Sequence, residues 1–248
     1  SSAQNIVVDF GRTRLNCNRF VIYFAAFWQG RTKLMKTFRL YLIRHGLTQA
    51  NLDGIYVGSG SDPELCEAGR KDLEELRARF TYPAPDTVFC SPLARAVQTA
   101  DILFPEAQKK LVVPELREMG FGCWEGRPVQ ELVHEPDFAR WMDPTHPFTP
   151  EGAESAADFH TRCARTLMGM FEYLIKAGVS EAACVTHGGV IMSMLAQKAL
   201  PRHKPEDWMA DPGCGYTVRC DAAMWMRDGL VEAVEVLPRG YLEDIAEG

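Results

Sequence analysis

Three short β-rich runs each end in a polar cluster, and that repeated arrangement constrains the fold more than any other feature of the chain. FRLYLI (Phe38 to Ile43) leads into Arg44, His45 and Gly46. DTVFC (Asp86 to Cys90) leads into Ser91 to Arg95, and EAACV leads into Thr186, His187, Gly188 and Gly189. Segments of helical spacing separate these runs, Leu65 to Phe80 after the first and Ala153 to Ala177 before the last. Such alternation predicts an α/β fold: a three-layer sandwich whose mainly parallel sheet is flanked by helices. In open sheets of this kind, ligand groups gather in the crevice beyond the carboxyl ends of the strands. His45, Arg95 and His187, far apart in the chain, are therefore expected around one crevice.

Other runs complete the expected frame. LVVPEL reads as another strand, SPLARAVQTADIL as a helix with Ser91 at its N-cap and Pro92 at its first position, and Gly215 to Leu237 as two or three short strands. Residues 126–152 are rich in Pro, His and Trp with short helical pieces, and are expected to form a small cap insertion. Trp124, Trp141, His134 and His146 either line the pocket under this cap or pack within it.

Residues 1–34 differ from the rest, with four arginines, one acid and an apolar run from Phe20 to Trp28. That run is shorter than the roughly 20 apolar residues that cross a bilayer, and no small-residue cleavage site follows it. The expectation is an N-terminal extension outside the fold, with residues 35–248 as the catalytic domain; a membrane or targeting role is the alternative.

The residue types suit a phosphate ester. With 27 basic and 33 acidic residues the net charge is −6, which argues against a nucleic acid or an anionic membrane as partner. Arginine forks match phosphate oxygens, and glycines let the backbone approach closely. A neutral histidine whose other ring nitrogen is fixed can act as a nucleophile. Glu118, among apolar neighbours in PELREMGFGCWEG, suits a carboxyl kept protonated to serve as a general acid. The eight cysteines lack metal-ligand spacing and read as reduced thiols of a cytoplasmic protein, so no metal and no cofactor is expected.

LIRHGLTQAN, CSPLARAVQTA, PELREMGFGCWEG and VTHGG together resemble the four signatures of the histidine phosphatase superfamily, with its phosphoglycerate mutase-like fold. The resemblance runs from Phe38 to Leu237. It implies that His45 is the phosphorylated nucleophile and that Arg44, Arg95 and His187 form the phosphate pocket. Asn51 and the Gly188 amide are the implied helpers, and Glu118 the implied proton donor and later base. Gly58 and Trp124 are added as substrate-binding residues. Leu47 stands where many relatives carry Glu, and RHGLTQAN departs from the RHGxRxP pattern of the acid phosphatase branch. The EMGFGCWEG form is that of phosphatases, not mutases.

TQANLDG followed by Tyr56 and Gly58 is similar to the α-ribazole phosphatases of cobalamin assembly, although LCEAG departs from their usual pattern. The substrate therefore stays open between α-ribazole phosphate and another small phosphomonoester such as a sugar phosphate, phosphoglycerate or a nucleotide. Mutase activity and a non-catalytic phosphate-binding module are the remaining alternatives. Edge pairing of the last strands would permit a homodimer.

Overall fold

The computed structural model describes residues 5–10, 36–142, 148–221, 224–225 and 228–247. Eight strands form one sheet among these residues: β1 (Asn5–Val7), β2 (Phe38–Arg44), β3 (Thr87–Cys90), β4 (Lys109–Val112), β5 (Glu181–Thr186), β6 (Ala199–Leu200), β7 (Gly215–Cys220) and β8 (Val231–Leu237). Their order is β1-β4-β3-β5-β2-β7-β8-β6. β7 runs antiparallel to both its neighbours, β2 and β8, while the other pairings are parallel. The fold is the expected α/β sandwich, a mainly parallel sheet flanked by helices.

Alternation along the central strands produces the two cores. Phe38, Leu40 and Leu42 of β2 face one cluster, with Phe89 of β3 and Ala182 and Cys184 of β5. Tyr41 and Ile43 face the other, with Val88, Cys90, Ala183 and Val185. Because successive side chains point to opposite faces, a strand apolar at every position must be covered on both sides. The helices Ala156–Ala177 and Gly188–Lys198 cover the first face. Glu67–Arg79 and Ala94–Leu103 cover the second.

Local signals set the element ends. The long helix starts after Ser155, whose Oγ accepts from the Asp158 amide at 3.0 Å. It stops at Gly178, whose φ of 71° is the left-handed conformation that glycine adopts without strain.

The structure departs from the sequence reading in several places. Residues 5–10, expected outside the fold, join it: β1 pairs with β4 at the sheet edge, and Phe10 is buried against Phe89. The apolar run from Phe20 to Trp28 lies outside the described residues. Ser91 is not the N-cap of its helix, which begins at Ala94 after Leu93, with the Ala94 amide donating to Asp62 Oδ1 at 2.7 Å. Pro92 accordingly lies before the helix. LVVPEL is a strand only to Val112; Pro114–Leu116 forms a 3-10 turn, since a proline cannot extend the strand ladder. Within residues 126–152 lie two short helices, Val129–Leu132 and Pro136–Met142.

Candidate active site

β2 and β5 lie side by side with Arg44 opposite Thr186, so their carboxyl ends deliver Arg44, His45 and His187 to the same place. The His45 amide continues the ladder to Thr186 O at 2.9 Å. The two imidazoles meet edge-on with centroids 5.1 Å apart.

His45 Nδ1 lies 2.7 Å from the carbonyl oxygen of Gly46. A carbonyl only accepts, so Nδ1 carries the proton and Nε2 keeps its lone pair. The ring is buried, and desolvation, assisted by the nearby Arg95 charge, pushes its pKa down to about 3. The imidazole is thus neutral across the physiological range. The Gly46 amide donates to Thr99 Oγ1 at 2.9 Å, which anchors the turn that holds the ring.

Two arginines from different elements place their charges near His45, and both lower its pKa. Arg44 is tied to the Ala210 carbonyl through Nη1 at 2.8 Å, while its Nε is buried with no hydrogen-bond partner among the described residues. Arg95, 2% exposed, donates to Gly58 O at 2.9 Å and to Ser61 O at 3.3 Å. Burial lowers the pKa of both guanidiniums, the cost of holding cations away from water. His187 Nε2 is 2.7 Å from Ser91 Oγ, and its Nδ1 is buried without a hydrogen-bond partner among the described residues. Desolvation, with His45 and the arginines adding to it, holds His187 well below the usual histidine range. A buried arginine nitrogen and a buried imidazole nitrogen without protein partners make a site equipped for an anion.

Glu118 enters from the turn after Pro114–Leu116. Its Oε1 accepts from the Met119 amide at 2.9 Å and its Oε2 from the Gly189 amide at 3.1 Å. Desolvation nevertheless dominates and raises its pKa, against those two bonds and the charges of Arg95 and Arg162. A Cβ on Gly189 would lie 2.6 Å from Glu118 Oε1, so a larger residue there would displace the carboxylate.

Gly58 contributes its backbone. Its carbonyl holds Arg95, its amide donates to Glu125 Oε2 at 2.9 Å, and a Cβ there would collide with Met119 O. Gly188 likewise opens a helix N-terminus against Arg44. Two residues expected to bind substrate also make local contacts. Asn51 Oδ1 accepts from the Thr48 amide at 3.1 Å as half of a capping box, and the residue is exposed. Trp124 is 5% exposed and packs against Phe138, Trp141 and Phe148 in an aromatic cluster. His134 is exposed, and His146 lies outside the described residues.

Sequence reasoning missed Glu125, Thr99 and Arg162. Glu125 also accepts from the Gly60 amide at 2.9 Å, so one carboxylate shapes the 58–61 loop that holds Arg95. An acid embedded between Trp124 and Gly126 was its available signal; nothing in the local pattern distinguishes Arg162 or Thr99.

The buried groups set a pH dependence of stability. In the unfolded chain each histidine titrates near about 6.5. In the fold His45 and His187 stay neutral well below that. As pH falls below about 6.5 the unfolded state takes up protons that the folded state refuses, so stability is lost by up to about 1.4 kcal/mol per histidine per pH unit. Glu118, with its raised pKa, works in the opposite direction. Denaturant unfolding at pH 7 and pH 5 is expected to show lower stability at pH 5, and a steeper loss in Glu118→Gln. Unchanged stability between the two pH values would contradict the assignment of neutral buried histidines.

Among the described residues no group of three or more His, Cys, Asp or Glu is arranged to hold a metal ion, and no helix is long and apolar enough to cross a membrane. A neutral, hydrogen-bonded imidazole beside two buried arginines and a desolvated carboxyl defines a phosphoryl-handling α/β enzyme. Comparison with known proteins narrows this. The description "Histidine phosphatase superfamily (branch 1)" matches residues 40–230. The adenosylcobalamin/alpha-ribazole phosphatase of Escherichia coli K12 is 32% identical over 180 residues, covering 71% of this chain and 87% of that one. Fructose-2,6-bisphosphatase TIGAR B of Danio rerio is 33% identical over 147 residues, 57% of this chain and 56% of that one. A crystal structure described as a putative alpha-ribazole-5'-P phosphatase from Escherichia coli matches with a TM-score of 0.67 at 27% identity, covering 79% of this chain and 94% of that one. The chain belongs to the histidine phosphatase superfamily, and it is a phosphatase.

Proposed function

We propose that this protein hydrolyses a small phosphomonoester in two steps through a phosphohistidine at His45, with α-ribazole phosphate of cobalamin assembly as its substrate. The observation that carries the mechanism is the bond from His45 Nδ1 to Gly46 O, which leaves Nε2 unprotonated beside Arg44 and Arg95.

In the first step the Nε2 lone pair forms a bond to phosphorus as the ester P–O bond breaks, and Glu118 gives its proton to the departing alkoxide. In the second, water attacks phosphorus, its proton passes to the Glu118 carboxylate, and the N–P electron pair returns to Nε2. Arg44, Arg95, His187 and the Gly188 amide stabilise the charge that spreads over the three phosphoryl oxygens, the main requirement of such transfers. Tyr56 packs against Phe138 and Trp141 near Glu118, and this aromatic cluster excludes bulk water from the proton donor.

The likeness in sequence to an adenosylcobalamin/alpha-ribazole phosphatase, and in fold to a crystal structure described as a putative alpha-ribazole-5'-P phosphatase, both of Escherichia coli K-12, supports the substrate. A broad-specificity phosphatase for sugar phosphates is the second reading, favoured by the likeness to a fructose-2,6-bisphosphatase. Phosphate release in EDTA from α-ribazole phosphate, 3-phosphoglycerate, sugar phosphates and nucleotides separates them. The first reading expects α-ribazole phosphate to stand about 100-fold above the rest in kcat/KM, a discrimination that needs about 3 kcal/mol of selective transition-state binding. A flat profile establishes the second reading.

A further inference from the structure

We infer that Arg162 is a positioning residue for the proton donor: it clamps the turn that carries Glu118, and Glu154 locks Arg162 in place. The inference rests on the proton-donor role of Glu118 proposed above.

Arg162 stands on the helix Ala156–Ala177, on the same side of the sheet as the Glu118 turn, with a side chain 10% exposed. Its Nη1 donates to Glu115 O at 2.6 Å and to Arg117 O at 2.9 Å. Its Nη2 reaches Glu118 O at 3.5 Å and Glu154 Oε2 at 2.5 Å, while Nε donates to Glu154 Oε1 at 2.8 Å. Five N–H groups thus meet five acceptors, the full donor capacity of a guanidinium. Three of those acceptors are carbonyls within four consecutive residues ending at Glu118. The other two belong to one carboxylate in the bidentate geometry that only a planar fork can satisfy.

This turn has little regular structure to hold it. It follows the 3-10 turn Pro114–Leu116 and pairs with no strand of the sheet, so its carbonyls need side-chain donors. Thr186 Oγ1 supplies one, to Leu116 O at 2.8 Å, and Arg162 supplies the rest named here. Glu154 is itself tied to the segment after Glu118, its amide donating to Gly120 O at 2.9 Å. Arg162 and Glu154 therefore grip the proton donor's backbone from both sides, and neither side chain takes part in the proposed chemistry. A shift of about 1 Å in a proton donor costs about 100-fold in rate, which gives such a clamp its value.

The test uses benzyl phosphate, whose alkoxide must be protonated to leave, and p-nitrophenyl phosphate, whose leaving group departs as a stable anion. Arg162→Met and Glu154→Gln are compared with Glu118→Gln by kcat/KM, which reports transfer to the enzyme. Both variants are expected to lose about 10- to 100-fold on benzyl phosphate and less than about threefold on p-nitrophenyl phosphate. That selective loss is the signature of a misplaced proton donor; a general loosening of the fold lowers both substrates alike. Equal losses on the two esters, or no loss, in variants that still unfold in one cooperative transition would overturn the inference. If Arg162→Met does not fold, Glu154→Gln decides, since it keeps the shape of the side chain and removes the charge that locks Arg162. A Glu118→Gln protein without leaving-group selectivity would instead remove the proton-donor reading, independently of what the clamp variants do.

Discussion

His45→Ala is expected to lower phosphate release by about 10,000-fold or more, the scale on which removal of an enzymatic nucleophile acts. About 5 kcal/mol of transition-state stabilisation is at stake. The arginines cannot replace it, being cations without a lone pair to offer. The variant should still bind inorganic phosphate, because Arg44, Arg95 and His187 are each held by contacts that do not involve His45. Turnover by wild-type protein should be unchanged in EDTA. Competition by phosphate in a thermal-shift assay, together with release assays with and without EDTA, checks all three expectations. Substantial release by the alanine variant would remove His45 from the mechanism.

Glu118→Gln is expected to lower kcat/KM by about 100- to 10,000-fold on esters of ordinary alcohols and far less on p-nitrophenyl phosphate. The carboxyl is buried, and desolvation raises its pKa, which favours the protonated form that a donor to the leaving oxygen needs. The same variant lacks the base for the second step. With p-nitrophenyl phosphate it should therefore release one equivalent of nitrophenol per enzyme in a burst and then slow. Stopped-flow absorbance reads the burst directly. A steady rate from the first turnover, with equal losses on both ester types, would show that Glu118 does not handle the proton.

The central part of this site was legible because chemistry and topology coincide. RHG, SPLAR and THGG each follow an apolar run, and the strands those runs form are neighbours, β3, β5 and β2, in the sheet. The alternation of β-rich and helical segments also announced a sheet flanked by helices, and the structure buries both faces of β2.

What the sequence withheld depends on tertiary contacts. Ser91 has the form of a helix cap, but its hydroxyl is claimed by His187, a residue 96 positions away. Asn51 reads as a pocket residue by motif, while a capping box with Thr48 satisfies its carbonyl oxygen locally. Trp124 has the size of a pocket wall, and the other cap aromatics enclose it. Arg162 lies in a helix whose pattern gives it the look of a solvated charge, and only the fold shows which carbonyls it meets. Residues 5–10 carry too short an apolar pattern to declare a strand; β4 supplies the partner that makes them one.

The measurement that tests the account most directly is trapping of the intermediate. Wild-type protein in EDTA is mixed with excess substrate, quenched in alkali within milliseconds, digested and mapped by mass spectrometry. The account predicts one phosphoryl group per chain, on Nε2 of His45, stable in alkali and lost in acid. A quenched enzyme that carries no phosphoryl group while phosphate is released, or that carries it on another residue, would contradict it.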